Sequence, residues 1–459
     1  MIRFHRPALA LAVAAGLLLT SAGHAAAAPA PSTVTPVISI APLAGTLADS
    51  GLEPRREDSK RSMRSTQTAE EALAEQRKTI KTHVYRPPAP GLSVLAYPGE
   101  DWITRDECLT KWISGFRGPW HYKNHYSACH VFRLTVTYRH CNPTCGPPVG
   151  GTTARTVIIG RGLHTARNLD WDIYFDDWTP WGESHEETLL NVGINCTSFV
   201  GENTNCGSDR PNGDTKKIAE WKQINHYLQH DSPVTLSPKP SDPQAIRDEM
   251  RGHFNYVPTF VTPVNGDRYT TKGTIGRCDN ATYISGAGCM FTGTAGIYQL
   301  DYNDPAYSQS SQFIWRAQRQ ITQTKPGTPG TYVPGGYFAQ PITGYFEPLT
   351  RNKHGSDNRT EIRNTCIANW GPNYTDPAVP GGESRECDEY PFSSTYQSGY
   401  YWRQAQNSGN ASARSYAVEV IDASHNREAG GNRLRLFYEY DHLLDKDPFY
   451  VEIINGPPV

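Results

Sequence analysis

Two adjacent carboxylates and a distant carboxamide are the side chains of this sequence best suited to hydrolytic chemistry. Asp388 and Glu389 follow Cys387, and Asn426 lies further along the chain. A carboxylate can take a proton from water, and carboxylate and amide oxygens bind hard divalent cations. Neighbouring side chains of a strand point to opposite faces, so Asp388 and Glu389 can share a site only where the strand ends. A solvated turn is the alternative interpretation of the pair.

A strand, a loop and a helix are predicted to position Asn426. Residues 416–421 alternate as in a strand, and residues 427–444 show the apolar spacing of a helix. Residues 449–454 then return as a strand. Asn426 stands where the helix is predicted to begin. There it could cap the helix, or it could hold a cation or a phosphate at the positive helix end. The sequence leaves both roles open.

Three motifs in this region identify a resemblance. They are Cys-Asp-Glu-Tyr-Pro-Phe-Ser-Ser from Cys387, His-Asn-Arg-Glu-Ala-Gly from His425, and Asp-Pro-Phe-Tyr-Val from Asp447. Together they resemble the NucA/NucB-type deoxyribonucleases, which are small secreted bacterial enzymes. The resemblance implies a small α+β domain related to the ββα-metal nucleases, over residues 275–459 with a core at 354–455. It also implies metal-dependent endonucleolytic cleavage of DNA without sequence preference.

The resemblance also implies roles for individual residues. Asp388 would be the general base that activates water. Asn426 would help to hold a single divalent cation, Mg²⁺ or Mn²⁺, with Glu389 as a supporting ligand or orienting group. We therefore expect Asp388 and Asn426 to lie within reach of one common ion and of solvent. Gln397 stands where many family members carry a glutamate. Candidate DNA-phosphate-binding residues are Arg427, Arg433, Arg435, Arg363 and His425, with Arg359 nearby.

Charge does not by itself indicate a nucleic-acid partner. The chain carries 44 Lys and Arg against 46 Asp and Glu, a net charge of −2. Affinity for DNA comes mainly from cations that meet phosphates. A chain with this balance must therefore gather its arginines on one face or depend on a metal ion.

The N-terminus has the layout of a secretory signal over residues 1–28. Arg3 and Arg6 precede an apolar run at 8–19, and small residues follow it. That run is shorter than the about 20 apolar residues that a membrane-spanning helix needs. We therefore expect a secreted, extracellular protein whose mature form has no membrane contact.

Ten cysteines in an exported chain predict disulfides, because oxidising compartments let them persist. They fall into neighbouring couples, so five short-range bridges are the simplest pairing, although the sequence does not fix it. Cys141 and Cys145, with His130 and His140 nearby, could instead form half of a zinc site. The cysteines are Cys108, Cys129, Cys141, Cys145, Cys196, Cys206, Cys278, Cys289, Cys366 and Cys387.

Two further regions precede the nuclease-like one. Residues 29–91 are interpreted as a Pro/Ala/Ser-rich tether or pro-segment with a short helix, which a capping box between Thr68 and Glu71 predicts. Residues 92–263 are predicted to be a β-rich domain of unknown role. Its tryptophans and neighbouring aspartates could form a sugar-stacking or calcium-binding loop, or simply core aromatics beside a charged surface.

Three hypotheses for function follow. The first is a secreted deoxyribonuclease acting on DNA. The second is a non-catalytic protein. It would be either a glycan- or cell-wall-binding protein that uses residues 92–263, or a degenerate nuclease that binds nucleic acid without cleaving it. The third is a secreted hydrolase with its site in the Trp/Asp-rich middle region, which lacks a nucleophile motif.

Overall fold

The computed structural model describes most of the chain, and the statements below concern these residues. The predicted signal at 1–28 lies outside them. The described ranges are 33–42, 55–56, 67–84, 101–113, 119–142, 144–164, 166–200, 204–223, 228–236, 250–284, 286–329, 331–338, 347–353, 355–408 and 414–458.

The N-terminal part is rich in strands. Its elements in chain order are β1 (Thr33–Pro42), β2 (Arg55–Arg56), α1 (Ala69–Arg77), β3 (Lys81–Val84), α2 (Arg105–Ile113), β4 (His121–Asn124), β5 (Ser127–Cys141), β6 (Cys145–Gly162), β7 (Asn168–Gly182), β8 (Leu189–Ser198), β9 (Thr204–Cys206), β10 (Asp214–Lys217), α3 (Ile218–Gln223), β11 (Leu228–Leu236), β12 (Arg251–Thr262), β13 (Asp267–Thr270), β14 (Thr274–Asp279) and β15 (Cys289–Phe291).

Two antiparallel sheets share one core in this part. The first has the order β1-β5-β6-β7-β11-β9, with β4 also on β5, and the second has β10-β8-β12-β13-β2, with β14 on β12 and β15. Residues 127–132 of β5 are all buried, and from Phe132 to Tyr138 alternate residues are buried, as the sequence pattern predicts. The ring centroids of Phe132 on β5 and Phe260 on β12 are 5.6 Å apart, and those of Trp171 on β7 and Tyr256 on β12 are 5.2 Å apart. The two sheets therefore pack face to face.

Parts of the segment expected to be a tether have regular structure. β1 pairs with β5 along its whole length, from Thr33 opposite Cys141 to Pro42 opposite Phe132. The predicted helix is α1, and its capping box joins Thr68 and Glu71. The second sheet also continues past residue 263 through β13, β14 and β15.

The Trp/Asp-rich segment is explained mainly by packing and ion pairs. Trp171 is fully buried, and its sequence neighbour Asp172 pairs with Arg161. The carboxylate of Asp176 pairs with both Arg105 and Arg155. Core aromatics beside paired acids are therefore the better description of this part of β7, and a glycan site has no support here.

Five disulfides join sequence neighbours, as the spacing predicts. The alternative that Cys141 and Cys145 form half of a zinc site is wrong, because these two are bonded to each other. His140 instead contacts Glu183. Among the described residues, no helix has the length and apolar character that a membrane crossing requires. The bridges are Cys108–Cys129, Cys141–Cys145, Cys196–Cys206, Cys278–Cys289 and Cys366–Cys387.

The C-terminal part mixes helices and strands, so the chain as a whole is a strand-rich α+β protein. Its elements in chain order are β16 (Thr294–Asp301), α4 (Ser308–Arg319), a 3₁₀ turn (Ile321–Gln323), β17 (Leu349–Thr350), α5 (Ser356–Trp370), β18 (Arg385–Tyr390), α6 (Gly399–Asn407), β19 (Ala417–Asp422), α7 (Ala423–Asn426), a π-helical segment (Arg427–Arg433), α8 (Leu434–Tyr440) and β20 (Pro448–Ile454).

Two small sheets organise this part. One has the order β17-β20-β16-β3, so strand β3 from the N-terminal part completes it by parallel pairing with β16. The other is the antiparallel pair β18-β19. The helix predicted at 427–444 begins earlier, at Ala423, and changes to π-helical winding at Arg427. Leu434, Phe437 and Tyr438 are buried on its inner face, as the apolar spacing predicts.

A buried charged cluster connects the two parts of the chain. Asp441, directly after α8, lies 2.7 Å from His83 of β3 and 3.2 Å from His125 of the β4–β5 turn. Both ring nitrogens of His125 face backbone carbonyl oxygens, of Asp441 at 2.8 Å and Thr294 at 2.9 Å. Because carbonyl oxygens only accept hydrogen bonds, both nitrogens donate and His125 is a buried imidazolium cation. The cluster is therefore an internal ion pair between distant segments.

This cluster predicts a loss of stability as the pH rises above 6.5. Burial would lower the pKa of His125, but Asp441 outweighs it and raises that pKa above its ordinary 6.5. The contribution of His125 to folding is thus complete below pH 6.5 and is lost as the pH rises through the raised pKa. We expect the thermal midpoint of the wild type to fall over that range. The decrease of the thermal midpoint per pH unit should be smaller in His125→Gln and unchanged in His185→Gln. Equal decreases in all three proteins would contradict the assignment of His125 as a buried cation.

Candidate active site

The candidate carboxylates are presented by β18. Its one paired edge meets β19, where Asp388 lies opposite Glu419 and Glu389 opposite Val418. Alternation along the strand places Glu386 and Asp388 on one face and Glu389 on the other. The disulfide between Cys366 and Cys387 ties the strand to α5.

Asp388 is deeper than expected. Only 2% of the residue is exposed, and its carboxylate accepts hydrogen bonds from the Ser310 hydroxyl of α4 and, at 2.9 Å, from the backbone N–H of Glu389. Burial, together with the negative charge of Glu389, raises the pKa of Asp388 well above its ordinary value. The expectation that Asp388 is open to solvent is therefore not met, because Ser310 covers one side of it. Its remaining access is from the cleft described below.

Glu389 is half-buried at the end of β18, where the chain turns. One carboxylate oxygen accepts a hydrogen bond of 2.9 Å from the backbone N–H of Ser393. Burial raises the pKa of Glu389, although this hydrogen bond opposes the shift. The turn itself is held by the buried side chain of Asn358 on α5, which donates to the carbonyl oxygens of Ser393 and Thr395 at 2.8 and 2.9 Å.

Asn426 is the last residue of α7, at the junction with the π-helical segment. Its backbone is already helical, so it is not the helix cap that the sequence left open. Its amide nitrogen donates to Glu386 at 3.1 Å. Single stretches of π-helix occur often at functional sites. The junction places a partly exposed carboxamide beside β18.

These side chains line one cleft of about 880 Å³. Asp388, Glu389 and Asn426 all contribute to its lining, so the structure brings the predicted carboxylates and carboxamide together. Another part of the wall comes from the loop closed by the Cys278–Cys289 bridge, which contributes Thr282, Tyr283 and Ile284. Arginines also line the cleft: Arg351, Arg359, Arg363, Arg427 and Arg435.

The predicted phosphate-binding residues divide into two groups. Arg363, Arg427 and Arg435 line the cleft and are exposed. Arg433 does not line it, since it pairs with Glu428 and its guanidinium lies 4.5 Å from the centre of the Tyr307 ring. His425 likewise lies outside the cleft lining.

Gln397 faces away from the candidate site. Its side-chain oxygen accepts a hydrogen bond of 2.9 Å from the backbone N–H of Thr350, and it does not line the cleft. A glutamate at this position would therefore need a different local arrangement to reach an ion in the cleft. Here Gln397 supports the short strand β17.

His83, His125 and Asp441 are a second group that could hold a metal ion by distance, because their ligand atoms lie within 4.8 Å of one another. The hydrogen bonds described above use both nitrogens of His125 as donors, which leaves that ring without a lone pair for a metal. His83 is also engaged at both nitrogens, with Asp441 and Thr294. The group is therefore explained by its internal hydrogen bonds.

Three contributors to the cleft were not found from the sequence. Glu386 contacts both Asn426 and Arg427, and its signal was its position two residues before Asp388, on the same strand face. Arg351 and Tyr283 meet through space, with the Arg351 guanidinium 5.0 Å from the centre of the tyrosine ring. No local pattern links two residues so far apart in the chain.

Comparison with known proteins gives a match in the C-terminal region. No curated protein and no solved structure matches the chain. The match is to a family model and covers the segment that holds β18, β19 and the helices beside them, which confirms the resemblance of the motifs. The C-terminal region of the chain, residues 342–452, matches the family described as Deoxyribonuclease NucA/NucB.

Proposed function

We propose that this chain is a secreted, metal-dependent endonuclease that hydrolyses DNA phosphodiester bonds without sequence preference. The observation that carries the proposal is the cleft, in which two carboxylates, a carboxamide and several exposed arginines converge within the family-matching segment. The antiparallel strands β18 and β19, with α6 between them in the chain, are followed by α7 and its continuation, an order consistent with a ββα unit that carries an inserted helix. The five disulfides fit an oxidising, extracellular location.

The donor set suits a hard divalent cation such as Mg²⁺ or Mn²⁺. Glu389 and Asn426 offer oxygen ligands in the cleft, which Asp388 also lines. A cation held there would stabilise negative charge on the phosphate and favour the ionised form of a nearby carboxyl group. The residues present therefore fit the ion that the family implies.

Other residues of the chain activate the water and bind the DNA backbone. Asp388 takes the proton of the attacking water, since a raised pKa makes a carboxylate a stronger base once it is ionised. Arg363, Arg427 and Arg435 bind phosphates of the DNA backbone, which carry no sequence information, so cleavage does not depend on sequence. Because binding depends on these cations, it should weaken steeply with salt.

The test is cleavage of supercoiled plasmid DNA by the purified protein with Mn²⁺ or Mg²⁺, with and without chelator. We expect nicking that chelator abolishes. Asn426→Ala should raise the Mn²⁺ concentration for half-maximal nicking, while Asn432→Ala, outside the cleft on the same helical segment, should not. A protein that binds DNA but does not nick it with any divalent ion would support a degenerate, binding-only nuclease instead.

A further inference from the structure

Glu386 also lines the cleft, beside Asp388 and Glu389, and neither the motifs nor the family match gives it a role. It is the second residue of β18 and its side chain is 30% exposed. Both of its oxygens already have donors. One accepts two hydrogen bonds from the guanidinium of Arg427, at 2.8 and 2.6 Å, and the other accepts one from the amide of Asn426 at 3.1 Å.

The contact with Glu386 fixes the orientation of the Asn426 amide. A carboxylate only accepts hydrogen bonds, so the atom of Asn426 that faces it must be the NH₂ group, and the carbonyl oxygen must point away. That oxygen is directed toward Gly430, where an added Cβ would lie 3.6 Å from it. Reversing the amide would place its oxygen against the carboxylate, which is repulsive. The cation-binding atom of Asn426 is thus turned away from Glu386 and lies near Gly430, which also lines the cleft.

We propose that Glu386 is a positioning residue that orients Asn426 for the divalent cation and holds Arg427 beside it. The proposal rests on the metal-dependent nuclease function proposed above. A group that orients a metal ligand typically affects metal affinity by about 10- to 100-fold. Glutamine at this position could offer its own NH₂ group to Asn426, so the amide would no longer be held in one orientation.

The test measures Mn²⁺ binding to the DNA-free protein by electron paramagnetic resonance, beside plasmid nicking. We expect Glu386→Gln to weaken Mn²⁺ binding by about 10-fold or more, with the nicking rate largely restored at saturating Mn²⁺. Glu383→Gln is the matched control. It also removes one carboxylate bonded to α7, through Ser424, but it does not touch Asn426. Its Mn²⁺ affinity should stay within about twofold of the wild type.

A double-mutant comparison separates positioning from direct ligation. If Glu386 acts through Asn426, adding Glu386→Gln to Asn426→Ala should weaken Mn²⁺ binding little further. A full additional loss in the double variant would overturn the positioning role, as would unchanged Mn²⁺ affinity in Glu386→Gln. Failure of the nuclease proposal is a different result, because the wild type itself would then neither bind Mn²⁺ nor nick DNA.

Discussion

Asp388→Asn is expected to reduce DNA nicking by about 10²- to 10⁴-fold, the usual contribution of a general base. Asparagine has the size of aspartate. Its oxygen can still accept from the backbone N–H of Glu389 and its NH₂ group can donate to the Ser310 hydroxyl, but it cannot take a proton from water. The protein should therefore stay folded, with a thermal midpoint close to that of the wild type. The measurement is the initial nicking rate at saturating Mn²⁺.

Glu419→Gln is the control for this substitution. Glu419 lies directly opposite Asp388 on β19, pairs with Arg316, and does not line the cleft. It should keep nicking within a few-fold of the wild type. Were Asp388→Asn to cleave at nearly the wild-type rate, the base would have to be sought elsewhere, with Glu389 as the first alternative.

Asp441→Asn is expected to lower the free energy of unfolding by about 3–5 kcal/mol, the range found when one partner of a buried ion pair is removed. The imidazolium of His125 would keep its burial and lose its counter-charge. Burial by itself would raise the pKa of Asp441, but His125 and His83 outweigh it and hold that pKa below the ordinary value. Denaturant unfolding monitored by tryptophan fluorescence provides the measurement.

Asp101→Asn is the matched control, since Asp101 is an exposed partner of Lys123 and such pairs contribute about 1 kcal/mol at most. Equal decreases in the free energy of unfolding in the two variants would show that the cluster at Asp441 is not a buried ion pair. The cluster also bears on the proposed boundary at residue 275. Cutting there would separate His83 and His125 from Asp441, so we expect the full chain to be the stable form.

The C-terminal elements were largely predictable because their signals are local. Alternation predicted β19, and a strand was expected at 449–454, where β20 lies. The apolar spacing predicted the inner face of α8 through Leu434, Phe437 and Tyr438. The disulfides followed from short spacings. The start of the helix was misplaced because Ala423 and Ser424 carry no strong signal, and a π-helical segment has no simple sequence pattern.

Contacts between distant segments were not predictable in the same way. Pairing of β1 with β5 joins residues about a hundred positions apart and depends on an open sheet edge, whereas the composition of the segment suggested a tether. The meeting of His83 and His125 with Asp441 depends on the packing of both parts of the chain. The depth of Asp388 depends on where α4 places Ser310.

The most direct test of the account is the location of a divalent cation in crystals of the protein soaked in Mn²⁺, by anomalous diffraction. We expect one peak in the cleft, bound by the carboxylate of Glu389 and the side-chain oxygen of Asn426, with Glu386 still on the amide nitrogen. A peak at His83 and Asp441 instead, or an empty cleft in a protein that nicks DNA with Mn²⁺, would contradict it.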